Sequence, residues 1–301
     1  VKIFKDRIGR NDLAGLTFSF PAIAGLIAFI GVPFFLAIGL SFTNLKLGSP
    51  LPTRFVGVEQ YQRVLSDSSF QRALINNLMF AAVVVPVQTG LALVLAVMLN
   101  QRLRGMTIFR ALFFLPVVFP MALIAVVWTL IYAPGPGGSL NALIGALSFG
   151  ALGPYDWLHN PWLALPSLIV LSVWQGVGFQ MVVLLAGLQS IPRQLYEAAE
   201  IDSAGPVRQF IHITIPQLRN VLLFAALVTT ILAFRVFDQV QIMTQGGPSD
   251  ATTTVMFEAV QAAFSRQQIA RASAMTVVFV LIVLVIAVIQ RTVLKEEREI
   301  A

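Results

Sequence analysis

The sequence predicts an all-α integral membrane protein with six transmembrane helices, and three observations support this. Of 301 residues, 57% are hydrophobic and only 11% are charged, against about a quarter charged in ordinary soluble domains. The apolar residues gather into stretches long enough to cross a bilayer, which takes roughly 20 residues at about 1.5 Å rise over ~30 Å of hydrocarbon. The basic residues sit in the short segments between those stretches, dense on one side and sparse on the other. A net charge of +6 therefore speaks of membrane topology rather than nucleic-acid binding.

In chain order the expected spans are Leu13–Phe42, Asn77–Leu99, Ile108–Tyr132, Trp162–Leu188, Val221–Met243 and Ala272–Gln290. Lys2, Lys5, Arg7 and Arg10 precede the first, a pattern shared with signal peptides. That run is longer than a signal core and lacks a small-residue cleavage site, so a retained span is expected. Residues 133–161 carry Pro134-Gly135-Pro136-Gly137-Gly138 and the apolar Leu140–Leu147, which predict a loop with a short surface helix rather than a seventh span. Pro21, Pro33, Pro86, Pro116, Pro120 and Pro166 fall inside spans. Each removes a backbone donor and bends its helix; they read either as tolerated kinks or as a non-uniform bundle around a cavity.

Lys and Arg bias sets orientation. With the N-terminus in the cytoplasm, the inner segments hold Lys2, Lys5, Arg7, Arg10, Arg102, Arg104, Arg110, Arg193, Arg208, Arg219, Arg291, Lys295 and Arg298. The outer ones hold Lys46, Arg54, Arg63, Arg72, Arg266 and Arg271. Both termini are thus expected inside a cell membrane crossed several times, the whole of 1–301 forming one transmembrane domain.

The segment at about 189–219 carries the most information. Pro192 suits a first helical turn, and Glu197, Ala198, Ala199 and Glu200 favour helix. Ser203-Ala204-Gly205-Pro206 is a turn signal, after which Pro206 can open a second short helix. Small side chains at Ala198 and Ala199 would admit a close partner, and Glu197, Glu200 and Asp202 offer anionic contacts. An amphipathic connector lying on the membrane face has the same features.

Glu197-Ala198-Ala199, Asp202, Ala204, Phe210 and Ile213-Thr214-Ile215-Pro216 resemble the EAA motif of permeases in binding-protein-dependent ABC importers, with Gly205 close by in the same loop. Phe55-Val56-Gly57, Arg110-Ala111-Leu112-Phe113-Phe114-Leu115-Pro116 and Met243-Thr244-Gln245-Gly246-Gly247-Pro248 are similar to further family segments in the same order. The last points to the carbohydrate-uptake branch of maltose and glycerol-phosphate permeases. The resemblance implies a type I importer permease fold whose loop couples to a cytoplasmic ATPase. Ser203 departs from the family's usual glycine. The resemblance further implies a second, similar permease subunit, an ATPase dimer that binds ATP and Mg, and an external solute-binding protein.

The chain has no cysteine and two histidines, His159 and His212, both expected in loops. Thiolate chemistry is excluded, and no acid–base or metal constellation for an intramembrane enzyme is visible. No Gly-Lys pair occurs, so there is no phosphate-binding loop and no bound cofactor is expected. A solute path needs polar or aromatic groups within spans, where lipid contact is costly. Trp174, Gln175 and Gln180 in span four and Thr229, Thr230, Phe234 and Arg235 in span five are the candidates; helix–helix hydrogen bonds are the competing use. Arg235 and Asp238, three apart, are expected on one helical face, as a mutual ion pair or as a contact for an anionic solute. A sugar or polyol importer is the leading expectation. Glycerol 3-phosphate import is the first alternative; an ion-coupled secondary transporter fits less well, since the spans hold almost no titratable groups at mid-depth.

Overall fold

A computed structural model of the chain describes residues 10–101 and 105–294. Among these the backbone is helical apart from turns and one isolated bridge between Thr43 and Phe55. Lys2, Lys5, Arg7, Arg102, Arg104, Lys295 and Arg298, used above for orientation, lie outside the described residues.

The first span consists of α1 (Arg10–Leu26) and α2 (Val32–Ser41) joined by a π-helical turn at Ile27–Gly31. The wide turn falls just before Pro33, which has no N–H for the carbonyl four residues back, so the ladder loosens there. After α3 (Glu59–Leu65), α4 (Ser68–Leu99) starts well before the expected Asn77. Asp67 fixes that start. Its Oδ1 accepts the N–H groups of Ser69 and Phe70 at 2.8 and 3.3 Å, and its other oxygen pairs with Arg271.

The third span is not the continuous helix expected over Ile108–Tyr132. It is broken into α5 (Met106–Val118) and α6 (Met121–Ile131), whose axes differ by 99°. Phe119 precedes Pro120, and the proline ring forces the preceding residue out of the helical region; both adopt ψ near 140° (140° and 137°). The short surface helix expected in the next loop is α7 (Ser139–Leu147). Asn141 ties the loop down, donating to the Ala133, Gly135 and Tyr155 carbonyls and accepting from Tyr155 N and Trp157 Nε1.

Helix α8 (Pro161–Gln189) has Asn160 as its N-cap and Pro161 in its first turn. Next come α9 (Arg193–Ile201) and α10 (Pro206–Gln209), then a π-helical turn at Phe210–Thr214 and α11 (Ile215–Phe234). Helical structure runs without interruption from Pro206 to Phe234, so the fifth span lies toward the N-terminal side of the expected Val221–Met243. It stops at Phe234 because its end is anchored elsewhere: Asn77 Nδ2 donates to the Phe234 carbonyl at 3.3 Å and Thr254 Oγ1 to the Val236 carbonyl at 3.0 Å. Arg235 and Asp238 therefore do not share a helical face, and no ion pair joins them. Residues Val240–Thr244 form a separate π-helical turn, followed by α12 (Val255–Val260) and α13 (Ile269–Leu294).

Helices α4, α8 and α11 form the centre, with α5 against α8, and α13 against α2 and α11. Gly178 brings α8 onto α5: a Cβ there would lie 2.9 Å from Phe114 Cα, the close backbone approach that small residues permit in membranes. One core cluster gathers around Phe80, Leu168, Phe234 and Met275, and a second around Ala96, Met181, Leu184 and Leu218. Phe18, Phe29, Leu130 and Leu284 point outward from the bundle. Such a surface suits hydrocarbon as solvent, where backbone polarity is satisfied inside each helix.

Candidate functional sites: a mid-span cavity and an end-face loop

Proline, glycine and the end of α11 together leave a space. A cavity of about 470 Å³ opens between α4, α8 and α11, with the Val117–Met121 break of the third span on its wall. Gln175, at the centre of α8, and Gln88 of α4 enter it at mid-depth; Arg235 and Asp238 enter from beyond the end of α11. Phe179 and Phe237 supply aromatic surface. The side chains of Gln88, Gln175, Arg235 and Asp238 make no hydrogen bond or ion pair with any described residue. The cavity thus offers amide, guanidinium and carboxylate groups together, with aromatic faces for apolar ring surfaces.

The sequence candidates divide between the cavity and the packing. Gln175, Thr229 and Arg235 line the cavity. Gln180 does not: it is 1% exposed and its Nε2 donates to Thr229 Oγ1 and to the Ala225 carbonyl, tying α8 to α11. Thr230 accepts a hydrogen bond from Gln290 Nε2 at 2.8 Å and faces α13. Phe234 is core, packed on Phe279 with ring centroids 5.9 Å apart. Trp174 packs at a tilt against Trp128, ring centroids 5.5 Å apart, outside the cavity lining. Sequence reasoning missed Gln88, Ser172 and Gln239. The rule that found Gln175, a polar side chain inside an apolar span, would also have found Gln88.

The second candidate is the turn between α9 and α10. Asp202 ends α9, the Ala204 N–H returns to the Ala199 carbonyl at 2.8 Å, and Gln209 Nε2 donates to the Ala204 carbonyl at 2.9 Å. Ser203 holds the left-handed conformation, φ 56°, whereas Gly205 has φ −67°. The position where the resembling family has glycine is thus the one whose backbone calls for it. Tyr196 fastens α9 to the bundle through a 2.9 Å hydrogen bond with Thr214. Tyr196 and Ala199 are half-buried, while Glu197, Ala198 and Ile201 face outward. Ile201, Val207 and Ile211 are each exposed apolar residues of this segment.

Comparison with known proteins accounts for this arrangement. Residues 88–298 match the family described as binding-protein-dependent transport system inner membrane component. The chain is 34% identical over 294 residues to the probable ABC transporter permease protein YurN of Bacillus subtilis, covering 97% of this chain and 99% of the relative. It is 39% identical over 201 residues to the trehalose/maltose transport system permease protein MalF of Thermococcus litoralis, covering 67% of each. A crystal structure of a bacterial ABC transporter involved in the import of the acidic polysaccharide alginate shares the fold, with a TM-score of 0.80 at 19% identity over 96% of this chain and 98% of that one. Among the described residues, five long apolar helices plus one broken span agree with the family match, a permease component rather than an enzyme. The chain belongs to the binding-protein-dependent transport system inner membrane components, the multi-pass permeases of ABC importers.

Proposed function

We propose that this chain is the permease subunit through which a neutral mono- or oligosaccharide, or a related polyol, crosses the cytoplasmic membrane by alternating access. A solute-binding protein delivers the solute on the outer side, and a second permease closes the path. A separate ATPase dimer, carrying the ATP and Mg, drives the cycle through the α9–α10 turn. Glu197, Ala198, Asp202, Ser203, Ala204 and Gly205 form that turn's contact, with Ala199 on its inner side.

The observation that carries the solute class is the unpaired chemistry of the mid-span cavity. Arg235 and Asp238 both line it and neither is neutralised by a partner among the described residues. Opposite charges within one cavity largely cancel its field toward an anion, yet each can hydrogen-bond hydroxyls strongly. Gln175 adds an amide, and Phe179 and Phe237 add faces for sugar C–H surfaces. The unpaired Arg235 is also what favours the second reading, import of glycerol 3-phosphate.

Uptake by the reconstituted complex tests the choice. Proteoliposomes holding both permeases and the ATPase, supplied with the binding protein, are assayed with labelled maltose, trehalose and sn-glycerol 3-phosphate. Neutral-sugar transport is expected to fall at least several-fold in Asp238→Asn, because a charge-assisted hydrogen bond is lost. Phosphate-ester uptake that exceeds sugar uptake and rises in Asp238→Asn would transfer the assignment to the anionic solute.

A further inference from the structure

Behind the solute cavity a chamber of about 80 Å³ continues inward between α4, α8 and α11. Two of the hydroxyls on its wall are already committed. Ser172 Oγ donates to the Leu168 carbonyl at 2.8 Å and accepts from Gln239 Nε2 at 3.0 Å. Thr229 Oγ1 donates to the Ala225 carbonyl at 2.9 Å and accepts from Gln180. These groups hold helices together.

Gln88 differs. It is 5% exposed and borders both the chamber and the larger cavity, yet its carboxamide has no partner among the described residues. The carboxamide faces open cavity rather than protein, where a leucine would fill the same space without a polar head. Space for the amide comes from Gly176, where a Cβ would lie 2.6 Å from Gln88 Nε2 and 2.9 Å from its Cδ. The missing side chain on α8 thus keeps the head of Gln88 at the mouth of the chamber. At ~30 Å³ per water, the chamber admits two or three waters or one hydroxymethyl-sized group, and no sugar ring.

We infer that Gln88 is a specificity-determining contact for the transported solute, its carboxamide donating to and accepting from hydroxyls of a neutral polyhydroxylated group seated at the chamber mouth. The inference rests on the transport reading above. An uncharged head with donor and acceptor side by side matches neighbouring hydroxyls, and it has no charge with which to hold a phosphate or carboxylate. The ring of such a solute stays in the larger cavity, and one of its substituents reaches Gln88.

The test measures labelled maltose and trehalose taken up per ATP hydrolysed, in proteoliposomes of the full complex with binding protein. In Gln88→Leu this ratio is expected to fall about tenfold, the usual effect of one buried hydrogen bond lost. Gly176→Ala, which displaces the amide, should lower it in the same direction, and Gln88→Asn should restore part of it. A ratio unchanged in Gln88→Leu, including uptake and hydrolysis falling together, would make Gln88 a packing or water-holding residue and overturn the inference. A wild-type complex that accumulates neither sugar overturns the transport reading itself, and the role of Gln88 with it.

Discussion

Gly178 and Ser203 show how much depends on single backbone positions in this bundle. At Gly178 the backbones of α8 and α5 meet directly, and a methyl group would press on the Phe113–Phe114 backbone rather than on a side chain that could swing aside. Backbone cannot yield without moving a helix. Gly178→Ala is therefore expected to destabilise the chain by about 1–3 kcal/mol, seen as a lower melting temperature in lipid nanodiscs; an unchanged melt would show that α5 shifts freely. Ser203 is the opposite case, a non-glycine residue held at φ 56°. Sequence reasoning located this turn but not which residue bends it, since Gly205 stands two positions away and looks the better candidate. The left-handed residue falls at Ser203 because the Ala204 N–H must reach back to the Ala199 carbonyl to close α9, a constraint fixed by hydrogen-bond register rather than by composition.

At the scale of elements, apolar length identified every span, and the errors came where tertiary contacts overrode it. The third span reads as one apolar run, but Phe119-Pro120 forces two extended residues into it, and the sequence signal was one of six span prolines that read either as tolerated kinks or as a non-uniform bundle around a cavity. The fifth span ends at Phe234 because Asn77 of α4 claims the Phe234 carbonyl and Thr254 the Val236 carbonyl just beyond it, partners that no local pattern reveals. The cavity follows from those two errors, since its walls include the Val117–Met121 break and the Arg235–Gln239 segment. Helix α9 was legible from propensity alone, but its orientation was not. Tyr196 and Ala199 turn toward the bundle while Ala198 and Ile201 face outward, so the bulk that tests docking belongs at Ala198. Ala198→Trp should leave membrane insertion intact, because α9 lies outside the spans. Overpacking an ATPase groove by about 1–3 kcal/mol would loosen the ATPase by roughly tenfold or more. Co-purification of the ATPase measures this, and full retention would reduce α9 to a surface connector.

For the whole molecule, the fold groups the loops into two ends. Asn100, Gln101, Arg193 and Glu197 border one cavity and so share an end. At the other end, Leu47 bonds to the Gln267 carbonyl and Arg72 pairs with Asp250. Which end faces the cytoplasm is a matter of charge. Arg110, Arg193, Arg208, Arg219 and Arg291 fall at or near the first end, and the flanking basic residues at 102, 104, 295 and 298 add to it in sequence. Such an excess resists translocation, so the first end is expected inside. The second end carries Lys46, Arg54, Arg63, Arg72, Arg266 and Arg271, of which the last four are paired with carboxylates, respectively Glu59, Asp250, Glu258 and Asp67. The orientation rule counts basic residues rather than net charge, so this pairing does not alter the expectation. Because the chain lacks cysteine, one introduced thiol reports one position. Gly48 is a poor choice, since its φ of 71° would strain any side chain; Leu51 and Phe149, 71% and 99% exposed, are better outer sites, and Glu197 serves for the inner end. In intact cells a membrane-impermeant maleimide should label Leu51→Cys and Phe149→Cys at once, and Glu197→Cys only after permeabilisation. Labelling of Glu197→Cys alone in intact cells would reverse the orientation and put the α9–α10 turn on the side where no ATP is available to drive it.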